Sequence, residues 1–117
     1  MKVPGPDHAI SIHPNKNRVR VTFNDKVIAE TARALTLTEA GYKPVQYIPR
    51  EDTDMTLLSP TAHRTHCPYK GDASYFTITV DGKVAENAVW SYEQPFAAVR
   101  EIAGFLAFYP NRVDKIA

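Results

Sequence analysis

Two alternating runs on either side of Asp81-Gly82 constrain the fold of this chain more than any other feature. The segment reads "SYFTITVDGKVAENAVWSY", and Asp-Gly favours a two-residue hairpin turn because glycine tolerates a positive φ angle. Before the turn, Phe76, Ile78 and Val80 alternate with more polar residues and form the natural core face of a strand. Tyr75 then points to the opposite face. The segment therefore predicts an antiparallel β-hairpin.

A second hairpin is predicted near the start of the chain. In "RVRVTFNDKVIAET", Val19, Val21 and Phe23 alternate with polar residues, and Asn24-Asp25 supplies the turn. Residues 45–48 lie between two prolines and predict only a short strand. The intervening "ARALTLTEAGY" fits a helix or a strand equally well.

The remaining segments predict a long loop and a short helix. "EDTDMTLLSPTAHRTHCPYKGDA" shows little periodicity, and a loop of that length in a compact domain is usually functional. "PFAAVREIAG" begins with Pro95 and predicts a helix through Ile102, followed by a short strand within residues 105–109.

The order of elements predicts a mainly β (α+β) fold. We expect a small curled antiparallel sheet or open barrel with one short C-terminal helix. Residues 1–117 are expected to form a single domain, in which an irregular arm, residues 1–17, precedes a β-rich core, residues 18–117. Within the arm, "HAISIHP" can add a short edge strand.

Composition narrows the expected partners and location. The 14 basic and 13 acidic residues leave a net charge of +1, which predicts no binding to nucleic acid or to a membrane surface. No apolar run reaches the roughly 20 residues of a membrane-spanning helix, and the N-terminus lacks the apolar region of a signal peptide. The single cysteine cannot form an internal disulfide. We expect a cytoplasmic protein, and self-association remains open.

The long loop brings charged residues to both of its ends. Arg50, Glu51 and Asp52 follow the short strand in "PREDTD", and Lys70 lies on the turn "CPYKG". Arg50 and Lys70 can hold an anion, while Glu51 or Asp52 can serve as a base or orient a ligand. The structural alternative is a solvated turn with local ion pairs. We predict that the two ends of the loop form one pocket.

Aromatic residues surround this predicted pocket. Their rings can form a wall that suits a flat ligand, although aromatic side chains commonly just pack in a core. The residues expected in the wall are Tyr69, Tyr75, Trp90 and Tyr92.

Three roles are open for Cys67: a buried structural side chain, a nucleophile, or a wall of the pocket. Histidine, arginine and lysine neighbours can lower the pKa of a thiol, but free cysteine is often buried as a small apolar residue. A metal site would use His63, His66 and Cys67, and it would lack the paired ligands of a structural zinc site. The sequence predicts no metal ion and identifies no cofactor.

Two blocks of the chain closely resemble a bacterial family, domain of unknown function 427. They are "YIPREDTDMTLLSPTAHRTHCPYKGDASYF" and "AVWSYEQPFAAVREIAGFLAFYPNRV", and the resemblance covers roughly residues 24–113. It implies a small, mostly β, cytoplasmic protein without an established reaction. Some collections file the family as nucleotidyltransferase-like, which hints at a nucleotide-like ligand. The family pattern matches at Tyr47, Pro49, Arg50, Glu51, Asp52, Thr65, Cys67, Pro68, Tyr69, Lys70, Gly71, Ala73, Tyr75, Trp90, Tyr92, Pro95, Phe108 and Tyr109.

These observations favour a small β-rich domain with a pocket for a small anionic or aromatic ligand, of which a nucleotide-like ligand is one example. One alternative is a transferase or hydrolase in which Cys67, Asp52 or Glu51 is catalytic. The other alternative is a module for protein interaction or self-association.

Overall fold

The computed structural model describes all 117 residues, as ten β-strands and three short 3-10 helices. The 3-10 helices span Arg50–Asp52, Met55–Leu57 and Ala97–Ile102. The strands are β1 (Ile10–Pro14), β2 (Val19–Phe23), β3 (Lys26–Thr31), β4 (Leu35–Glu39), β5 (Val45–Tyr47), β6 (Leu58–Cys67), β7 (Gly71–Val80), β8 (Lys83–Ser91), β9 (Ala107–Phe108) and β10 (Lys115–Ile116).

The strands form three small antiparallel sheets. Their orders are β1-β4-β5, β10-β2-β3 and β6-β7-β8-β9, and none of the sheets closes into a barrel. An isolated bridge between Ile48 and Leu106 links the end of β5 to the segment before β9. The prediction of a mainly β fold is confirmed.

Both predicted hairpin turns are present. Asp81 and Gly82 have φ angles of 49° and 82°, and Asn24 and Asp25 have φ angles of 49° and 63°. Positive φ at both central residues matches the twist of the flanking strands, which is why such turns favour Asn, Asp and Gly. The side-chain amide of Asn24 also donates to the carbonyl oxygen of Val80 at 2.9 Å, so the two hairpins are joined at their tips.

The ambiguous segment around Leu37 is a strand. β4 lies in the middle of its sheet, between β1 and β5, and buries Leu37. Its partner β1 belongs to the predicted irregular arm, so residues 10–14 of that arm are regular structure at a sheet edge. Pairing with β1 and β5 makes this segment a strand, because its local propensity does not distinguish a helix from a strand.

The prediction of a long loop after residue 50 is wrong, because most of this segment has regular secondary structure. Residues 50–57 form two 3-10 turns, and β6 continues for ten residues from Leu58. β6 is an edge strand, mostly exposed, with an irregular register between Pro60 and Arg64. A strand with no buried face shows no alternation, and an edge tolerates proline, so the sequence gives little sign of it.

The predicted short C-terminal helix is present, in the 3-10 form. Residues Ala97–Ile102 form two 3-10 turns that meet at Val99, where φ is −128°. Val99 and Ile102 are buried, so packing of these two side chains holds the segment. The strand predicted after it shortens to β9. No helix in the structure has the length and apolar character needed to cross a membrane.

Strand β7 separates two apolar cores. Phe76, Ile78 and Val80 face a core of 16 buried residues, as their alternation predicts. Tyr75, on the other face, is 5% exposed and lies in a second core of eight buried residues. The opposite direction of Tyr75 is confirmed, and its surroundings are a packed aromatic cluster.

Candidate functional site

The second core opens into a cavity of about 180 Å³ with a mainly aromatic lining. Its walls come from β4, β5, β7, β8 and the chain around them. The lining residues are Leu37, Glu39, Tyr42, Lys43, Val45, Tyr47, Lys70, Tyr75, Trp90, Tyr92 and Tyr109.

Strand register brings these side chains together. Trp90 lies opposite Tyr75 in the β7–β8 pair, and Leu37 lies opposite Val45 in the β4–β5 pair. Residues two apart on a strand share a face, so Glu39 accompanies Leu37, and Tyr47 accompanies Val45.

Contacts between the rings hold the walls in place. The indole N–H of Trp90 donates to the hydroxyl of Tyr47 at 3.3 Å, and the two rings meet edge to face. The rings of Trp90 and Tyr109 are 4.4 Å apart between centroids. The hydroxyls of Tyr75 and Tyr109 are 3.3 Å apart, and the hydroxyl of Thr65 bonds that of Tyr75. This network holds most of the lining rings in place.

The hydroxyl of Tyr92 differs from those of the neighbouring tyrosines because it forms no hydrogen bond to another protein group. No hydrogen bond is among the causes of its pKa shift. The side chain is nearly buried, at 6% exposure, yet no fully buried side-chain nitrogen or oxygen lacks a partner. The hydroxyl must therefore retain some accessible surface, and Tyr92 is one of the residues that line the cavity.

Burial raises the pKa values of three tyrosines that line the cavity. Desolvation raises the pKa values of Tyr47 and Tyr92 well above the ordinary value of 10. Desolvation and the hydrogen bond with Tyr75 raise the pKa of Tyr109 to about 12. These three hydroxyls therefore stay protonated even in moderately alkaline solution.

A buried ion pair forms the charged part of the cavity. The ammonium of Lys70, which is 8% exposed as a residue, donates to Glu39 Oε1 at 2.5 Å. Glu39 Oε2 lies 2.6 Å from Nε2 of His8. Burial opposes ionisation of Glu39, but the hydrogen bonds and charges of Lys70 and His8 outweigh it and lower its pKa. One oxygen of Glu39 is thus taken by each partner, while Lys70 keeps further N–H donors.

The structure brings together four of the site residues predicted from the sequence. Lys70, Tyr75, Trp90 and Tyr92 line the cavity. The other predicted site residues, Arg50, Glu51, Asp52, Cys67 and Tyr69, do not line it. The two ends of the segment between residues 50 and 70 therefore contribute to different parts of the molecule.

Arg50 joins three segments of the chain. Its guanidinium donates to the carbonyl oxygen of Gly104 at 2.7 Å, to the hydroxyl of Ser91 at 3.3 Å and to Glu93 at 2.5 Å. It also lies over the ring of Phe76. These contacts use the Nε and Nη2 donors of the guanidinium, and Glu93 already supplies the carboxylate that pairs with its charge.

Asp52 and Glu51 anchor the first 3-10 turn to β3 and its following turn. Asp52 accepts from the hydroxyl of Thr31 at 2.6 Å and from Arg33 at 3.2 Å. These hydrogen bonds, with that from Thr31 the largest contribution, lower the pKa of Asp52. Glu51 is exposed and 3.5 Å from Arg33. A carboxylate held ionised in this way is a weak base.

The residues around Cys67 are held by separate contacts. Cys67 is half-buried against the second core, and Tyr69 stacks on His8 at 3.9 Å between ring centroids. His63 packs against Tyr75, whereas His66 bonds Asp72. No three histidine, cysteine or acidic side chains form a group that could hold a metal ion.

Several cavity residues were not predicted, and Glu39 is the most informative. In "LTLTE" it shares a strand face with Leu35 and Leu37, and a charge on an apolar face is a signal of a paired or functional site. That signal depends on recognising β4 as a strand. Tyr47 and Tyr109 lie in segments that were predicted as strands without a site role. Nothing in the sequence marks Tyr42 or Lys43.

Fold and site together define a small β-rich domain with an aromatic cavity beside a buried ion pair. A family model described as "Domain of unknown function (DUF427)" matches residues 11–117. The chain belongs to this family, as the resemblance in its two sequence blocks predicts. The matched range includes every residue that lines the cavity. No curated protein matches the chain.

Proposed function

We propose that the domain binds a small ligand with one flat aromatic ring in the cavity beside Trp90. The observation that carries this proposal is the Tyr92 hydroxyl, a nearly buried polar group that lacks a protein partner and lines an aromatic space. A hydroxyl without a protein partner can donate to an acceptor on a ligand. A ring with a hydrogen-bond acceptor on its edge would fill the aromatic space and accept a hydrogen bond from this hydroxyl.

The size of the cavity limits the ligand. An apolar cavity of about 150 Å³ can hold benzene, and drug-sized ligands need about 300 Å³ or more. The volume of about 180 Å³ here accommodates one ring rather than a larger ligand. A nucleobase-sized heterocycle or a substituted benzene is of this class.

Charge at the cavity favours a ligand with electron-rich edges. Lys70 and Lys43 carry positive charge, and the only carboxylate in the lining, Glu39, already bonds Lys70 and His8. A ligand acceptor can therefore approach Lys70 or Tyr92 without meeting an unpaired negative charge. This supports an anionic or aromatic ligand over a cationic one.

A thermal-shift screen of nucleosides, nucleotides and substituted benzamides, each with and without magnesium, tests the proposal. A ligand at 100 times its Kd stabilises the folded state by about 2.7 kcal/mol, which raises the Tm by several degrees. For the best binder, Tyr92→Phe should weaken affinity by about tenfold, because it removes one hydroxyl donor. Tyr69→Phe is the matched control, since Tyr69 lies outside the cavity, and it should leave affinity unchanged. Equal losses in both variants would contradict the proposal.

A further inference from the structure

A second cavity, polar and open, borders the aromatic one. It has a volume of about 420 Å³ and is lined by His63, Tyr75, Asn87, Tyr109, Asn111 and Arg112. Tyr75 and Tyr109 line both spaces, and their hydroxyls lie 3.3 Å apart. Tyr75 and Tyr109 therefore form a wall that the two cavities share.

The formal charge of this second cavity comes from Arg112. Arg112 is exposed and forms no ion pair with any carboxylate of the chain. No aspartate or glutamate contributes to the lining. The backbone N–H of Arg112 donates to the carbonyl oxygen of Tyr109 at 3.0 Å, which holds the arginine beside the shared wall. The cavity is thus a cationic space without a counter-ion.

Neutral donors accompany the arginine. Asn87 accepts from the hydroxyl of Thr61 with its amide oxygen, at 2.7 Å, so its NH2 group is left to donate. Asn111 is exposed in the same lining, and His63 contacts the edge of the Tyr75 ring. A guanidinium beside amide donors is the arrangement that binds phosphate or carboxylate oxygens.

From this juxtaposition we infer that the polar cavity binds the anionic group of the ligand whose ring occupies the aromatic cavity. The ligand class is a flat ring that carries a phosphate or carboxylate on a short link. The ring lies beside Trp90, the link passes the hydroxyls of Tyr75 and Tyr109, and the anion pairs with Arg112. This inference rests on the proposed function, because the ring must first bind in the aromatic cavity.

Calorimetric titrations with three single-ring probes test the inference. Benzyl alcohol is neutral, benzyl phosphate carries a phosphate, and phenylacetate carries a carboxylate. At low salt, at least one anionic probe should bind about tenfold more tightly than benzyl alcohol, because hydrogen bonds to charged groups exceed neutral ones. The preferred anion then distinguishes phosphate from carboxylate.

An Arg112→Ala variant tests whether Arg112 causes the tighter binding of the anionic probe. It should remove most of the advantage of the anionic probe and leave the affinity for benzyl alcohol unchanged. Arg100→Ala is the matched control, because Arg100 is also exposed but lines neither cavity, and it should bind all probes as the parent does.

The outcomes separate this inference from the proposed function. Equal binding of neutral and anionic probes, or an anion advantage that survives Arg112→Ala, overturns the inference and leaves the aromatic site standing. If none of the three probes binds at millimolar concentration, both the inference and the proposed single-ring site are overturned.

Discussion

At the scale of single residues, Glu39 explains much of the chemistry of the cavity. It brings a negative charge to the buried face of β4, and that charge is stable there because Lys70 and His8 each take one of its oxygens. The same pairing places the ammonium of Lys70 at the edge of the aromatic lining. A buried charge that loses its partner is costly, so the three side chains act as a unit.

The lowered pKa of Glu39 gives a prediction for acid stability. Its pKa in the folded state is below the ordinary value of 4.5. The ionised form is therefore favoured by folding, and its contribution is present above pH 4.5 and is lost as the pH falls through the folded pKa. Glu39→Gln should flatten the acid side of a plot of unfolding free energy against pH, measured by urea denaturation.

The control for this experiment is Glu86→Gln, at an exposed glutamate that forms no ion pair. This variant should show the same fall of unfolding free energy at acid pH as the parent protein. An unchanged slope in Glu39→Gln would show that Lys70 and His8 do not hold this carboxylate ionised. The other carboxylates with lowered pKa values, such as Asp52 and Asp114, maintain part of the slope in every variant.

At the scale of elements, the strands with an alternating pattern and a turn of known chemistry are predictable. Both hairpins follow from their Asn-Asp and Asp-Gly turns, since these residues accept positive φ angles. β6 could not be predicted, because an exposed edge strand containing a proline has neither alternation nor a continuous apolar face. The predicted C-terminal helix is present as a 3-10 helix, and its kinked form was not predictable because packing of Val99 and Ile102 decides its shape.

Gly82 tests whether the second hairpin depends on its turn. Its φ is 82°, and an added Cβ would have no atom within 4 Å, so the cost of substitution comes from the backbone alone. Gly82→Ala should lower the free energy of unfolding by about 1 kcal/mol, measured by urea denaturation. Gly5→Ala is the control, because Gly5 also has free space but no positive φ, and it should be neutral. A neutral Gly82→Ala would contradict this account of the turn.

At the scale of the whole molecule, the site forms where different sheets meet. Glu39 and Tyr47 come from the β1-β4-β5 sheet, while Tyr75 and Trp90 come from the β6-β7-β8-β9 sheet. Contact between sheets depends on long-range packing, which a single sequence does not encode in any local pattern. The sequence predicts Lys70, Tyr75, Trp90 and Tyr92 as site residues from their chemistry, and these four do line one cavity. It also predicts Arg50 beside them, whereas in the structure Arg50 bonds Gly104, Ser91 and Glu93.

The most direct test of a ligand site at the junction of these sheets uses the only tryptophan of the chain, Trp90. Its indole N–H gives a single side-chain peak in a proton–nitrogen correlation spectrum and lies in the wall of the aromatic cavity. Titration with a library of single-ring aromatic fragments should shift this peak in a saturable manner for at least one fragment, together with backbone peaks of Leu37, Tyr47 and Tyr92. If the peak stays unchanged with every fragment at millimolar concentration, or moves only with peaks outside the cavity, the aromatic cavity is not a ligand site.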